Sequence, residues 1–332
     1  MAWIWTLPDD TVNHLNRAWS TADHLGLLLD KFTPYAEYEY QERGQPHRGY
    51  RLGPQNLKRD WLKDALHRAA KSTAALTVTQ AQRDRLVALV RANEGWSEPL
   101  LTASPLIVGL GAGHVLETAI TLDRNTGAPL IPGSALKGLA RTVGLVSVAE
   151  KLNLPEIDWL ARGDDEDSPP PKLVRLEQWI LAFEDLTTQD ALDCLVDEVL
   201  ELDLAAISID KKKLRLAADF RAVFGTTDRA GDIVFLDGLY AGDRLPKYHI
   251  DIMNPHFSKY YTGDSPPSDD QNPVPVPYLA VAAGQPFVFA VLPRTLDAAP
   301  LVKRAGAWLM RGLKEFGVGA KTAQGYGLFR SP

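Results

Sequence analysis

Apolar residues recur at three- and four-residue spacing in several stretches of this chain, and alternate or run together in others. Val12, Leu15, Trp19, Ala22, Leu25, Leu29 and Phe32 make one helical stripe that ends before Pro34. Residues 35–55, "YAEYEYQERGQPHRGYRLGPQ", mix Tyr, Arg and Gly and read as an exposed loop. Helices are predicted near 56–71 and 79–94, the second capped by Thr79 with Gln82 in capping-box position. Residues 1–98 therefore read as a mostly helical N-terminal extension, with a second domain over 99–332.

The pattern changes near Pro99. "PLIVGLGAGH" begins as a strand, "ETAITLD" alternates, "RNTG" is a turn, and "APLIP" runs into a helix. Residues 172–203 return to helical spacing through Leu176, Trp179, Ile180, Leu192, Leu195 and Val199, inside an expected insertion near 150–220. "GDDEDSPPP" at 163–171 reads as an exposed linker into it. After "VFG" (223–225) and a polar turn, "DIVFLDGLYA" reads as one strand. Residues 264–277 hold five prolines and three aspartates, which exclude helix and central strand, so the expectation is an arm over 251–277. "YLAVAAG" and "PFVFAVLP" are two strands around a turn. A last helix over 300–316 turns Leu301, Ala305, Trp308, Leu309, Gly312, Leu313 and Phe316 inward. Strands mixed with long helices give an α+β sandwich, sheet on one side and helices on the other.

Composition adds limits. The 332 residues are 45% hydrophobic and 23% charged, which is globular. A single cysteine, Cys194, excludes an intrachain disulfide and a thiolate zinc cluster and suits a reducing compartment. There is no leader-like N-terminus and no membrane-length apolar run, so a cytoplasmic location is expected. The net charge of −6 argues against binding nucleic acid with the whole surface, but six of the seven charges between Lys303 and Arg330 are basic, so a local basic face is compatible with the total.

Two motifs carry candidate chemistry. In "IPGSALKGLAR" (131–141), Gly133 precedes Ser134, an N-cap candidate, and Ser134, Lys137 and Arg141 share one helix stripe. A helix start with free amides, a lysine and a guanidinium suits phosphate; a capped helix with a solvated cationic face is the plainer alternative. In "GVGAKTAQGYG" (317–327), Gly317, Gly319, Gly325 and Gly327 frame Lys321, Thr322, Gln324 and Tyr326. Such a loop admits a nucleic acid backbone, with Lys321 to neutralise it and Tyr326 to stack, or it is a tight helix-to-strand connection. The two motifs are expected to converge on one cradle. In "DIMNPHFSKYY" (251–261), Ile252, Met253, His256 and Phe257 suit an arm that wedges between bases, or one that packs on protein. "GLGAGH" has His114 where a dinucleotide fingerprint needs glycine, no phosphate-binding GxxxxGK[ST] occurs, and His249, Asp251 and His256 lack a helix to make a metal site. No cofactor or metal is expected.

In order along the chain, "LIPGSALKGLAR", "VFG…GDIVFLDG", "DIMNPHFSKYY" with its Asp/Pro-rich arm, and "GVGAKTAQGYG" resemble the RAMP superfamily, the RRM-like subunits of CRISPR effector complexes. The Pro-His pair and "DQNPVPVPYLAV" are most similar to the sixth-subunit family of the type III-B, or Cmr, complex. The likeness spans roughly 100–330 and is loose before that. It implies an RRM/ferredoxin-like RAMP core with a helical N-terminal extension and helical insertion. It implies a non-catalytic subunit that binds guide RNA near its 3′ side in antiviral defence, beside target RNA and other RAMP subunits. The family's RNA contacts carry over to Ser134, Lys137, Arg141, Gly317, Gly319, Lys321, Gly325 and Gly327. Two other readings stand beside it: a transcript-processing endoribonuclease using His114, His249 or His256, and a protein-only scaffold.

Overall fold

A computed structural model describes residues 10–13, 22–33, 36–42, 45–51, 55–114, 116–154, 170–200, 211–254 and 275–332. Leu15, Trp19, the acidic run at 163–169, and His256 and Phe257 of the arm lie outside the described residues.

The N-terminal part contains helix α1 (Leu25–Asp30), strands β1 (Ala36–Glu42) and β2 (Gln45–Arg51), and helices α2 (Gln55–Ala69) and α3 (Thr73–Ala92). The β1–β2 hairpin corrects the expected loop. "AEYEYQE" alternates tyrosine with glutamate at strand period, and it pairs antiparallel from Ala36↔Arg51 to Glu42↔Gln45. The start of α3 is also corrected: Ser72 is its cap, accepting from Ala75 N at 3.2 Å, while Thr79 is buried mid-helix and donates to Ala75 O at 2.7 Å.

The rest of the chain supplies β3 (Trp96–Thr102), β4 (Leu130–Ile131), α4 (Gly133–Leu152), α5 (Lys172–Ala182), α6 (Gln189–Cys194), α7 (Lys211–Phe224), β5 (Ile233–Phe235), β6 (Gly238–Tyr240), β7 (Tyr248–Met253), β8 (Val276–Val281), β9 (Pro286–Pro293), α8 (Ala299–Arg311) and β10 (Phe329–Arg330). A π-helical turn, Gly312–Phe316, continues α8. The main sheet has the order β10-β3-β9-β6-β4, antiparallel throughout, with β5 paired to the far end of β9. Taken in chain order, β3, β6, β9 and β10 stand 4-1-3-2 in space, with α4 after the first and α8 after the third. This is the βαββαβ, ferredoxin-like arrangement on an α+β plan.

Several expectations change at this level. "ETAITLD" forms only the bridge Leu122↔Pro129, and "PLIVGLGAGH" only Leu106↔Val281. "DIVFLDGLYA" is two strands, broken at Leu236–Asp237. The turn expected after "VFG" is present: α7 ends at Phe224 and the bridge Gly225↔Ala230 closes the turn. β8 and β9 do not pair with each other: β8 pairs β7 in a separate two-stranded sheet, while β9 sits in the main one.

Packing explains why "PFVFAVLP" is apolar without alternation. Phe287, Phe289 and Val291 face the core made with Phe220, Phe224, Trp308 and Leu309 of α7 and α8. Phe329 meets Phe289 edge-on at 5.0 Å and ties β10 to it. Val288 and Ala290, on the opposite face, are 4% and 0% exposed, because α3 packs across β3, β6 and β9. The sheet is thus covered on both faces, which corrects the two-layer expectation. Helices α1 and α2 cover the β7–β8 pair in the same way, with Leu28, Leu29, Trp61 and Leu62 against Leu279. Arg311 anchors α8 to α4 through a forked pair with Glu150 at 2.7 and 2.8 Å, and its guanidinium also meets Glu315.

Ala290→Asp tests the second layer. A charge buried under α3 without a partner lowers unfolding stability by about 3 kcal/mol or more, read from the urea midpoint. Loss below about 0.5 kcal/mol, the range of surface substitutions, shows that face to be open.

Candidate nucleic-acid interface

At the start of α4 the backbone itself decides the geometry. Pro132 is the N-cap residue, with φ −59° and ψ 138°, and its own side chain makes no capping bond. Gly133 is the first helical residue and lies against the Phe235 carbonyl, where a Cβ has no room. Ser134, expected as the cap, is instead the second helical residue and is exposed. The negative group that this helix start calls for comes from the chain: Asp237, at the break between β5 and β6, accepts from Gly133 N at 2.6 Å.

Arg141 is likewise engaged. Its Nε donates to Glu177 of α5 at 2.7 Å, and its guanidinium carbon lies 5.3 and 5.9 Å from the Phe220 and Phe224 ring centres. Lys137 is different. Among the described residues no carboxylate pairs with it. Burial, then Arg141 and Arg294, push its pKa below the ordinary lysine value. Arg294, at the exit of β9, completes this cationic group. The sequence reading missed Arg294 because it lies 157 residues from Lys137, as the numbering shows.

The glycine loop is the second centre. Gly319 (φ 95°) passes against the Ile107 carbonyl and Gly327 (φ 74°) against Val318 O, so neither position accepts a side chain. Backbone bonds pin the loop: Ala320 N to Ile107 O at 2.8 Å, Gly327 N to Pro105 O at 2.7 Å and Tyr326 N to Lys321 O at 3.2 Å. Gln324 and Gly325 are exposed, Thr322 is half-buried, and Gly325 has open space on its outer side. Gly317 is buried where the π-helical turn ends, and the last residue of that turn, Phe316, is 39% exposed rather than inward. Lys321 itself has φ 62°, a left-handed conformation uncommon outside glycine.

The side chain of Lys321 reaches the β7–β8 pair. Its Nζ donates to Tyr278 OH at 2.8 Å and stands 4.7 and 5.3 Å from the Tyr278 and Tyr326 ring centres. Both tyrosine hydroxyls donate to Asp251 Oδ2, that of Tyr278 at 3.1 Å, and Ile252 N donates to Oδ1 at 2.7 Å. Burial pushes the Asp251 carboxyl up, but the bonds from Tyr326, the Ile252 amide and Tyr278 outweigh it and hold the group below the usual carboxylate range. Desolvation drives the Tyr278 phenol well above its ordinary value. Met253 of the expected wedge packs on the Ile107–Tyr278–Ala280 cluster, while Ile252 is 44% exposed. Asp251 and Tyr278 are directly opposed across β7 and β8, a pairing that reaches over the whole arm and leaves no local spacing to read.

The two centres are carried by different elements: Lys137 lies on α4, which leaves edge strand β4, and Lys321 in the loop that enters β10, the other edge strand of the main sheet. The helix and the loop are tied together, because Leu139 of α4 packs against Gly312 in the turn that leads into the loop.

Fold and loop together define an RRM-like α+β protein with a glycine-rich helix-to-strand loop ahead of its last strand. The RAMP superfamily model matches residues 100–330, more than half of the chain, and the chain belongs to that superfamily. It is 33% identical over 236 residues to the CRISPR system Cmr subunit Cmr6 of Pyrococcus furiosus, covering 68% of this chain and 65% of that protein. The chain thus spans just under two thirds of that relative's length. Similar solved structures are the crystal structure of Cmr6 from Pyrococcus furiosus (28% identity, TM-score 0.41, 72% of this chain and 97% of that one) and a chain of the type III-B Cmr-beta complex bound to cognate target RNA (16% identity, TM-score 0.49, 83% and 71%).

Arg141→Ala separates a structural cation from a ligand-facing one. It removes a partly exposed ion pair and two ring contacts, and lowers thermal stability by about 1 kcal/mol. Lys137→Ala leaves the melting temperature unchanged or raises it, because it relieves repulsion from Arg141 and Arg294.

Proposed function

We propose that this chain is a non-catalytic, guide-RNA-binding structural subunit of a cytoplasmic type III-B CRISPR effector complex. It caps the side of the guide that carries the 3′ end, beside target RNA and other RAMP subunits, in antiviral defence. The observation that carries the reading is the RAMP glycine loop itself: pinned by backbone bonds, open at Gly325, with Lys321 mounted on two tyrosines. Ser134, Lys137 and Arg294 form a second group of candidate contacts on the same RNA strand. Arg141 supports that group by holding α4 to α5. The similarity to Cmr6 supports membership in a Cmr assembly.

The non-catalytic part rests on the histidines. His114 Nε2 bonds Asp30 at 2.9 Å and its Nδ1 accepts from Leu116 N at 3.0 Å, so neither ring nitrogen is free to act as a base. His249 lies 3.9 Å from Asp251, on the carboxylate side of the loop cluster.

Titration of single-stranded RNA binding against salt tests the reading. Lys137→Ala and Lys321→Ala each flatten the slope by about 0.7, and the double variant by about twice that, because each removes a separate phosphate contact. An unchanged slope in the double variant refutes RNA contact at both places. Incubation with labelled repeat RNA gives no cleavage; cleavage abolished by His249→Ala or His256→Ala makes the protein a nuclease instead.

A further inference from the structure

The glycine loop holds one group that a phosphate-binding surface does not need. Asp251 is a fixed carboxylate beside Lys321, and its side chain is 35% exposed. Near a polyanion such a charge is repulsive, by about 1 kcal/mol at 4 Å even in water. Yet two tyrosine hydroxyls and a backbone amide hold it ionised and fix its orientation. A carboxylate has about four acceptor positions. Oδ2 receives both tyrosines and Oδ1 receives Ile252 N, which leaves a second position on Oδ1. An anion placed there aids a nucleic acid ligand only if that ligand brings a hydrogen-bond donor. On a sugar-phosphate backbone the donor is the ribose 2′-hydroxyl, which DNA lacks.

We infer that Asp251, oriented by Tyr278 and Tyr326, accepts a hydrogen bond from a 2′-hydroxyl of the strand held by Lys321, and so selects RNA over DNA. This deepens the RNA-binding reading above and rests on it. Lys321 supplies attraction that both backbones share. Asp251 supplies the difference, since it repels a deoxyribose strand without compensation. The discriminating group therefore sits on β7, outside the glycine motif, and meets the loop through Tyr326.

The test uses the full chain with ten-nucleotide strands of one sequence as RNA, as DNA, and as RNA carrying a single 2′-deoxy sugar moved along it. The wild-type protein binds RNA roughly ten- to a hundredfold tighter than DNA, the strength of one hydrogen bond to a charged group, and one deoxy position accounts for most of the loss. Asp251→Ala brings the ratio near one, with DNA binding kept or raised. Asp251→Asn, whose amide oxygen still accepts, retains part of the preference. A purely structural role for Asp251 lowers RNA and DNA affinity together and overturns the inference, as does a ratio that survives Asp251→Ala. If Asp251→Ala does not fold, Tyr326→Phe serves: it loosens the carboxylate and reduces sensitivity at the same deoxy position, and unchanged sensitivity counts against the inference. Equal binding of RNA and DNA by a wild-type protein whose salt slope responds to Lys321→Ala defeats this inference alone. Failure to bind any strand defeats the RNA-binding reading and this inference with it.

Discussion

Burial of β9 on both faces is the constraint from which the rest of the structure follows. Phe287, Phe289 and Val291 need α7 and α8 on one side, while Val288 and Ala290 need α3 on the other. In a bare RRM the open face of the sheet carries the aromatic residues on which bases stack. Here α3 lies across that face, so a ligand is left with the ends of the sheet and the loops that leave it. The N-terminal extension is therefore part of the main packing, and it closes the face on which an RRM stacks bases.

Charge distribution follows the same economy. The helix start at Gly133 is neutralised by Asp237, Arg141 by Glu177 and Arg311 by Glu150, each within 2.8 Å for at least one bond. These are internal fastenings. Lys137 is left crowded by two cations, and Lys321 rests on phenol rings and a hydroxyl. A chain of net charge −6 can thus keep a cation unpaired among the described residues at Lys137, beside Arg294, while the charge of Lys321 is set against the carboxylate of Asp251 through Tyr278.

Much of the fold could be read in advance where packing is one-sided or repetitive. The helix from Pro300 onward, with Ala305, Trp308 and Leu309 buried, follows its stripe, and "PFVFAVLP" is a strand as its composition requires. What escaped reading depends on partners distant in sequence. Pro132 displaced Ser134 as cap because Gly133 fits under the Phe235 carbonyl, and the break in "DIVFLDGLYA" exists so that Asp237 can reach that glycine. The hairpin at 36–51 was masked by its arginines and glycines, although its tyrosines alternate. In the candidate interface, glycine spacing marked the loop correctly as a tight, polar turn. It could not show that Lys321 is mounted on Tyr278, since that contact is made by a strand on the far side of the arm.

Both motifs are mounted rigidly, each by its own means. The start of α4 is fixed by Gly133 under the Phe235 carbonyl and by Asp237, and the glycine loop by backbone bonds to Pro105 and Ile107. Leu139 against Gly312 ties α4 to the turn that leads into the loop, so the two are held in one fixed relation. A flexible ligand gains from a second contact only where its repeat matches the gap between the two contacts. Rigid mounting keeps that gap constant, and the covered sheet adds no stacking platform on which a second register would be equally good.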